Sequence, residues 1–167
     1  MKRFAAVLLA VLVLSGCGRV AGIPANLTGG ELTVAQKFTL KQPDGNVLSL
    51  AQVLSQKKVV LINFWATWCT YCVEEMPDLV KLQAQYESKG FQIIAVNAGE
   101  SAEQAAAFAK KVGLNFPVVL DEDMAVSQAY NLVGIPTSFL ISSDGKVIGQ
   151  YSSFTSKLVS DVEKSLA

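Results

Sequence analysis

The chain contains no histidine. That absence removes Ser–His and Cys–His catalysis, histidine-ligated metals and histidine-ligated haem together. Cysteine is nearly absent too: Cys17, Cys69 and Cys72 are the only 3 in 167 residues. Three are too few for a disulfide scaffold and one short of a zinc site made from four cysteines. Neither sign of charge is in excess, with 14 Lys plus Arg against 14 Asp plus Glu. No nucleic-acid partner and no polybasic membrane surface is therefore expected. The one long apolar run, Phe4 to Leu14, is too short to span a bilayer as a helix. No internal repeat is present. What remains is a chain of a length suited to one domain with a real core.

The first residues read as an export signal. Lys2 and Arg3 precede the apolar run, which ends Leu14-Ser15-Gly16-Cys17. This ending resembles the bacterial lipobox, in which small residues precede a cysteine that is lipidated and becomes the new N-terminus. Residues 1–16 are thus expected to be a lipoprotein signal peptide and Cys17 the lipidation site. Each buried acyl methylene adds about 0.8 kcal/mol, so several chains anchor stably. Residues 17–34 contain Pro24, a Gly29-Gly30 pair and no periodicity. They read as a flexible tether, the alternative being an ordered arm. The domain, residues 35–167, would then lie in the cell envelope on the extracytoplasmic, periplasmic side, where disulfide chemistry is permitted.

Within the domain, Phe38 to Leu40 and Val47-Leu48 flank the turn Pro43-Asp44-Gly45-Asn46, a hairpin signal. Ser49 is placed to cap a short helix through Leu54. Val59 to Trp65 is continuously apolar apart from Asn63 and rich in β-branched residues, as in a central strand covered on both faces. A helix after Cys69 runs to about Ser88 and is closed by Gly90. Phe91 to Val96 reads as a strand. Ser101 and Gln104 form a capping box for a helix ending near Gly113. Phe116 to Leu120 reads as a strand and Glu122 to Tyr130 as a helix. Thr137 to Ile141 and Val147 to Tyr151 form a second hairpin, and Thr155 to Leu166 a closing amphipathic helix. The class is α/β with a mixed central sheet flanked by helices.

The chemistry concentrates in Trp68-Cys69-Thr70-Tyr71-Cys72. Two cysteines three apart at a strand–helix junction can close a disulfide. A thiolate at Cys69 would be stabilised by the helix N-terminus. Cys72, one turn in, is better covered. Cys69 is accordingly expected to attack a substrate disulfide and Cys72 to resolve the mixed disulfide. The alternative is a permanent disulfide or two structural thiols. Glu75 lies at the edge of the apolar helix face carrying Cys72. It is either covered there, with a raised pKa and a proton-transfer role, or solvated. Pro77 removes one helix hydrogen bond and should bend or break the helix a turn beyond the cysteines.

Asn63-Phe64-Trp65-Ala66-Thr67-Trp68-Cys69, Cys72, Glu75-Met76-Pro77 and the distant Gly134-Ile135-Pro136-Thr137 resemble the thioredoxin superfamily. More closely they resemble its membrane-anchored TlpA/ResA-type thiol-disulfide oxidoreductases. The resemblance implies a thioredoxin fold with an N-terminal β-hairpin and a central βα insertion, placed at Phe91 to Gly113. It implies a cis Ile135–Pro136 bond packed on the disulfide, with Ile135 offering backbone bonds to a substrate that Trp68, Thr70 and Tyr71 also meet. It implies a monomer whose only redox group is the Cys69–Cys72 couple, with no metal or other cofactor. Its substrates would be disulfides of exported proteins, apocytochrome c the commonest, and its electrons would come from a membrane thiol relay. Two residues depart from the pattern. Asn63 replaces the aspartate of cytoplasmic thioredoxins, and Tyr71 stands where most relatives have proline. A thiol peroxidase on the same fold would use a threonine and a proline where Ala66 and Ile62 stand. A Cu(I) carrier or redox sensor would use the two soft thiolates alone. Mass spectrometry of the mature N-terminus is expected to find acylated Cys17; cleavage at any other position would remove the anchor.

Overall fold

The computed structural model describes residues 32–167. The leader, Cys17 and most of the expected tether lie outside them. In chain order the elements are β1 (Thr39–Lys41), β2 (Val47–Ser49), α1 (Leu50–Leu54), β3 (Val59–Trp65), α2 (Thr70–Tyr86), β4 (Phe91–Ala98) and α3 (Ala102–Val112). They continue with β5 (Val118–Asp121), α4 (Ala125–Ala129), β6 (Thr137–Ser142), β7 (Val147–Tyr151) and α5 (Ser156–Leu166). The strands form one 7-stranded sheet of order β2-β1-β5-β4-β3-β6-β7.

β3 runs parallel to β4 and antiparallel to β6, and all of its residues are buried. Its pleat divides the core. Val59, Leu61 and Trp65 face the layer of α2, α3 and α5, where Met76, Leu79, Ala105 and Leu158 meet them. Val60, Ile62 and Phe64 face the other layer with Leu50, Tyr130 and Phe139. Phe64, Tyr130 and Phe139 pack as a triangle with ring centroids 5.0–6.1 Å apart. Phe91 to Gly113, where the βα insertion is expected, forms β4 and α3, and β4 also pairs in parallel with β5. The sheet is thus mixed and covered on both faces, as the α/β reading requires.

Several boundaries differ from the sequence expectation. Residues 32–34, expected to be tether, already belong to the domain. Leu32 is buried, Val34 bridges Lys146, and the Val147 amide donates to the Thr33 carbonyl at 2.9 Å. The Tyr130 hydroxyl, donating to the Gln36 carbonyl at 2.9 Å, holds the chain just beyond that segment. Backbone pairing with a distant turn leaves no periodic trace in so short a stretch. Ser49 takes the N-cap position of α1 without a side-chain cap bond, whereas Ser101 and Gln104 form the full capping box on α3. α2 passes through Pro77 without interruption. Gly90, at φ 99°, ends the short turn after α2 in the left-handed conformation that glycine tolerates.

α4 begins at Ala125, three residues later than expected. The buried Asp121 carboxylate accepts from the Val126 amide (3.0 Å), the Ser127 amide (2.7 Å) and the Ser127 hydroxyl (2.6 Å). These bonds fix the helix start beyond Met124, which is left at φ 60°. Asp121→Ala should leave both amides unpaired and cost about 3 kcal/mol of unfolding free energy. Urea denaturation followed by circular dichroism measures this; an unchanged midpoint would mean that α4 is held by packing alone.

Candidate active site

The loop joining β3 to α2 cannot use the sheet ladder, so its polar groups need other partners. Glu100, just past β4, supplies them. Its buried carboxylate accepts from the Thr67 amide at 2.8 Å, from the Thr67 hydroxyl, and from Asn97 Nδ2 at 2.7 Å. The Cys69 amide donates to the Ala66 carbonyl at 3.2 Å. So braced, the loop delivers Cys69 to the N-cap of α2.

Cys69 and Cys72 are joined as a disulfide with Cα atoms 5.2 Å apart. Cys69 Sγ accepts from the Cys72 amide at 3.2 Å. The same amide and the positive end of the helix dipole are there to stabilise a Cys69 thiolate after reduction. Cys69 is 7% exposed and Cys72 is fully buried, an asymmetry that lets only the first sulfur meet an outside partner. Trp68 and Tyr71 stand beside it, 71% and 74% exposed, and Thr70, the first residue of α2, is exposed as well.

The Ile135–Pro136 bond is cis. The Ile135 carbonyl lies 3.7 Å from Cys69 Sγ. The Thr137 hydroxyl, donating to the Gly134 carbonyl at 2.7 Å, fixes the turn that leads into β6. Residues far apart in the chain thus converge because β6 is the immediate neighbour of β3.

Glu75 is on the covered side of α2 and 8% exposed. Its Oε1 accepts from Asn63 Nδ2 at 2.8 Å and its Oε2 from the Phe154 amide at 2.9 Å. Burial pushes its pKa up, and the two donated hydrogen bonds pull it partly back. Asn63 Nδ2 also donates to Ser138 Oγ at 2.9 Å. The departure from aspartate at position 63 therefore places a neutral donor against the carboxylate of Glu75, where a second acid would repel it.

Sequence reasoning left out Asn63 as an active member of the site, Ser138, Glu100, Thr67 and the Phe154 amide. Asn63 had a signal, being the single polar residue in a buried strand. Glu100 had only its position before a helix cap. Of the two positions a peroxidase would use, Ala66 is buried beside the disulfide and Ile62 lies in the opposite layer of the core. Among the described residues no group of three or more His, Cys, Asp or Glu could hold a metal.

A recessed disulfide at the head of a helix, faced by a cis proline on a mixed sheet, defines a thioredoxin-fold protein. The Redoxin family profile matches residues 31–166, and the chain belongs to that family. Over 114 residues it is 41% identical to the thiol-disulfide oxidoreductase ResA of Bacillus subtilis, covering 68% of this chain and 63% of that protein. The ResA of Halalkalibacterium halodurans is 37% identical over 114 residues, 68% of this chain and 64% of that one. The matched part is thus a little under two thirds of these relatives. Among solved structures, the thioredoxin domain of a Bacteroides vulgatus thiol-disulfide oxidoreductase superposes with TM-score 0.74 at 28% identity, covering 83% of this chain and 99% of that one. A thioredoxin family thiol:disulfide interchange protein of Chlorobium tepidum gives TM-score 0.71 at 30% identity, with coverage of 83% and 99%.

The raised pKa of Glu75 has a consequence for stability. Between the ordinary carboxylate pKa and the raised one, the folded chain holds a proton that the unfolded chain releases. Stability from this group is present at low pH and is lost as pH rises through the folded pKa. Glu75→Gln removes that dependence, so the variant should gain stability relative to wild type as pH rises from 4 to 7. Denaturant midpoints of the two oxidised proteins at several pH values check this; a constant difference would mean that Glu75 titrates like a solvated acid.

Proposed function

We propose that the chain is a thiol-disulfide oxidoreductase that reduces disulfides of exported polypeptides in the cell envelope. The observation that carries this reading is the unequal Cys69–Cys72 pair. One sulfur borders the surface at a helix N-terminus, and the other is sealed one turn inside. In the reduced protein the Cys69 thiolate attacks a substrate sulfur. A Cys69–substrate bond forms, and the other substrate sulfur leaves as a thiolate. Cys72 then gives up its proton, for which Glu75, one turn along α2, is the acceptor, and attacks Cys69 Sγ. The second substrate sulfur leaves, Cys69–Cys72 re-forms, and two electrons have passed to the substrate. During the attack the Ile135 carbonyl and amide hold the substrate backbone next to Cys69.

The direction, reduction rather than oxidation, follows the motif resemblance to TlpA/ResA-type proteins, and apocytochrome c is one fitting substrate among envelope disulfides. The cycle closes when a membrane dithiol reduces Cys69–Cys72 again. A lipid on Cys17 would keep the domain at the membrane where such a donor lies, and the monomer suffices for every step.

Insulin-disulfide reduction with dithiothreitol tests the exchange. Cys69→Ser should abolish the rate above background. Cys72→Ser should accumulate a mixed disulfide visible on a non-reducing gel. Activity of both variants equal to wild type would sink the mechanism. Metal retained after anaerobic purification, without insulin reduction, would favour a thiolate metal carrier instead.

A further inference from the structure

Two grooves with mainly apolar walls lie beside Trp68 and Ile135, next to Cys69, and only one of them carries side-chain hydroxyls. Val133, Gly134 and Ile135 form a ridge common to both. On one side Trp68, Ala98, Met124 and Leu132 line a groove of about 450 Å³ with apolar walls. On the other Tyr71, Pro136, Thr137, Ser152 and Ser153 line a groove of about 370 Å³. Ser152, Ser153 and Tyr71 are all exposed, which leaves their hydroxyls available to a ligand. No charged side chain lines either groove.

We propose that Tyr71 is a specificity-determining residue. It builds a second subsite, across the Val133–Ile135 ridge from Trp68, for a neutral, hydrogen-bonding residue flanking the substrate cysteine. The proposal rests on the exchange reading above and names the substrate class of that site. The occupant is an extended polypeptide whose cystine carries a bulky apolar neighbour on one flank and a hydroxyl or amide neighbour on the other. Three observations select it. Cys69 is recessed at 7% exposure, so the incoming sulfur must arrive on a chain thin enough to lie along the ridge. In an extended chain the side chains two residues before and two residues after the cysteine share its face, so these two flanking side chains are the ones that reach the separate grooves. The uncharged walls offer no partner for acidic or basic flanks, whose charges would lose water without return, and they discriminate equally against small charged disulfides. The Tyr71 groove depends on the residue that departs from proline: a proline ring has neither the length nor the hydroxyl of the phenol that lines this groove with Ser152 and Ser153.

The test uses the full chain reduced with dithiothreitol and freed of it. Its substrates are disulfide-linked dimers of short capped peptides with one cysteine each, the flanking residues two before and two after that cysteine varied among Phe, Ser, Glu and Lys. Each turnover leaves two peptide thiols and the oxidised Cys69–Cys72 pair, and the second-order rate constant is followed by tryptophan fluorescence. Wild type should prefer Phe at one flank and Ser at the other over Glu or Lys by about tenfold, the low end of one pocket contact in discrimination. Tyr71→Ala should erase the preference at one flank and Trp68→Ala at the other. Ratios are taken within each variant, so any effect of Tyr71 on thiol reactivity cancels, and a merely structural role would leave them unmoved. No flank preference in wild type, both preferences intact in Tyr71→Ala, or both variants acting on the same flank would overturn the subsite while exchange stands. If neutral, flankless hydroxyethyl disulfide is not reduced either, the exchange reading falls and the subsite with it.

Discussion

Burial of β3 on both faces is the constraint on which the site depends. A strand with Val60, Ile62 and Phe64 in one core layer and Leu61 and Trp65 in the other has no solvent face. Its backbone is paired on both edges by β4 and β6. When the chain leaves this strand after Trp65, its amides lose the ladder and must be satisfied at once. Glu100 and the helix start meet that need: one accepts from Thr67, the other turns the next free amides toward Cys69. The reactive sulfur sits at the head of a helix because a fully buried strand has to end there.

Two buried carboxylates flank the junction, and both join segments distant in sequence. Glu100 ties the end of β4 to the loop before Cys69. Glu75 ties α2 to β3 through Asn63 and to the approach to α5 through the Phe154 amide. A carboxylate in such a place costs several kcal/mol in lost hydration unless donors surround it. The donors offset part of that cost without neutralising Glu75, which keeps a raised pKa. Residual desolvation is what the proposed exchange mechanism would draw on. An acid that prefers its proton is a ready acceptor when Cys72 must lose one, and a fully compensated ion pair at the same point would hold its charge and take nothing.

Much of this was legible in the chain because the signals were local. The continuous apolar run of β3, the Ser101–Gln104 capping box and the three-residue spacing of the cysteines each belong to one element. The placement of Ile135 against Cys69 was legible only through resemblance, since X-Pro bonds carry no mark of their isomer. Asn63 looked like a missing acid and is a hydrogen-bond donor to the acid that is present. Glu100 and Phe154 were illegible for a different reason. Their contacts run across the sheet or through a loop amide, and no periodicity in one segment reports what another segment brings. The start of α4 escaped for the same reason, because Asp121 caps it from the end of β5.

Tyr71 joins recognition to reactivity at one position. It is the second residue of α2, and amides in a first helical turn have no intrahelical partner. Proline there would remove one of those amides at no cost to the helix. Tyr71 keeps it, so the positive end of α2 beside Cys69 is more complete than in a chain with proline. The amide that meets Cys69 Sγ is that of Cys72, and the Tyr71 amide adds to the free donors of the same helix head. The exposed phenol meanwhile lines the same groove as Ser152 and Ser153. The two parts of the residue thus have separate surroundings: its backbone amide belongs to the helix head, and its side chain lines the groove proposed for the substrate. That separation is why selectivity ratios and absolute rates report different things about this site.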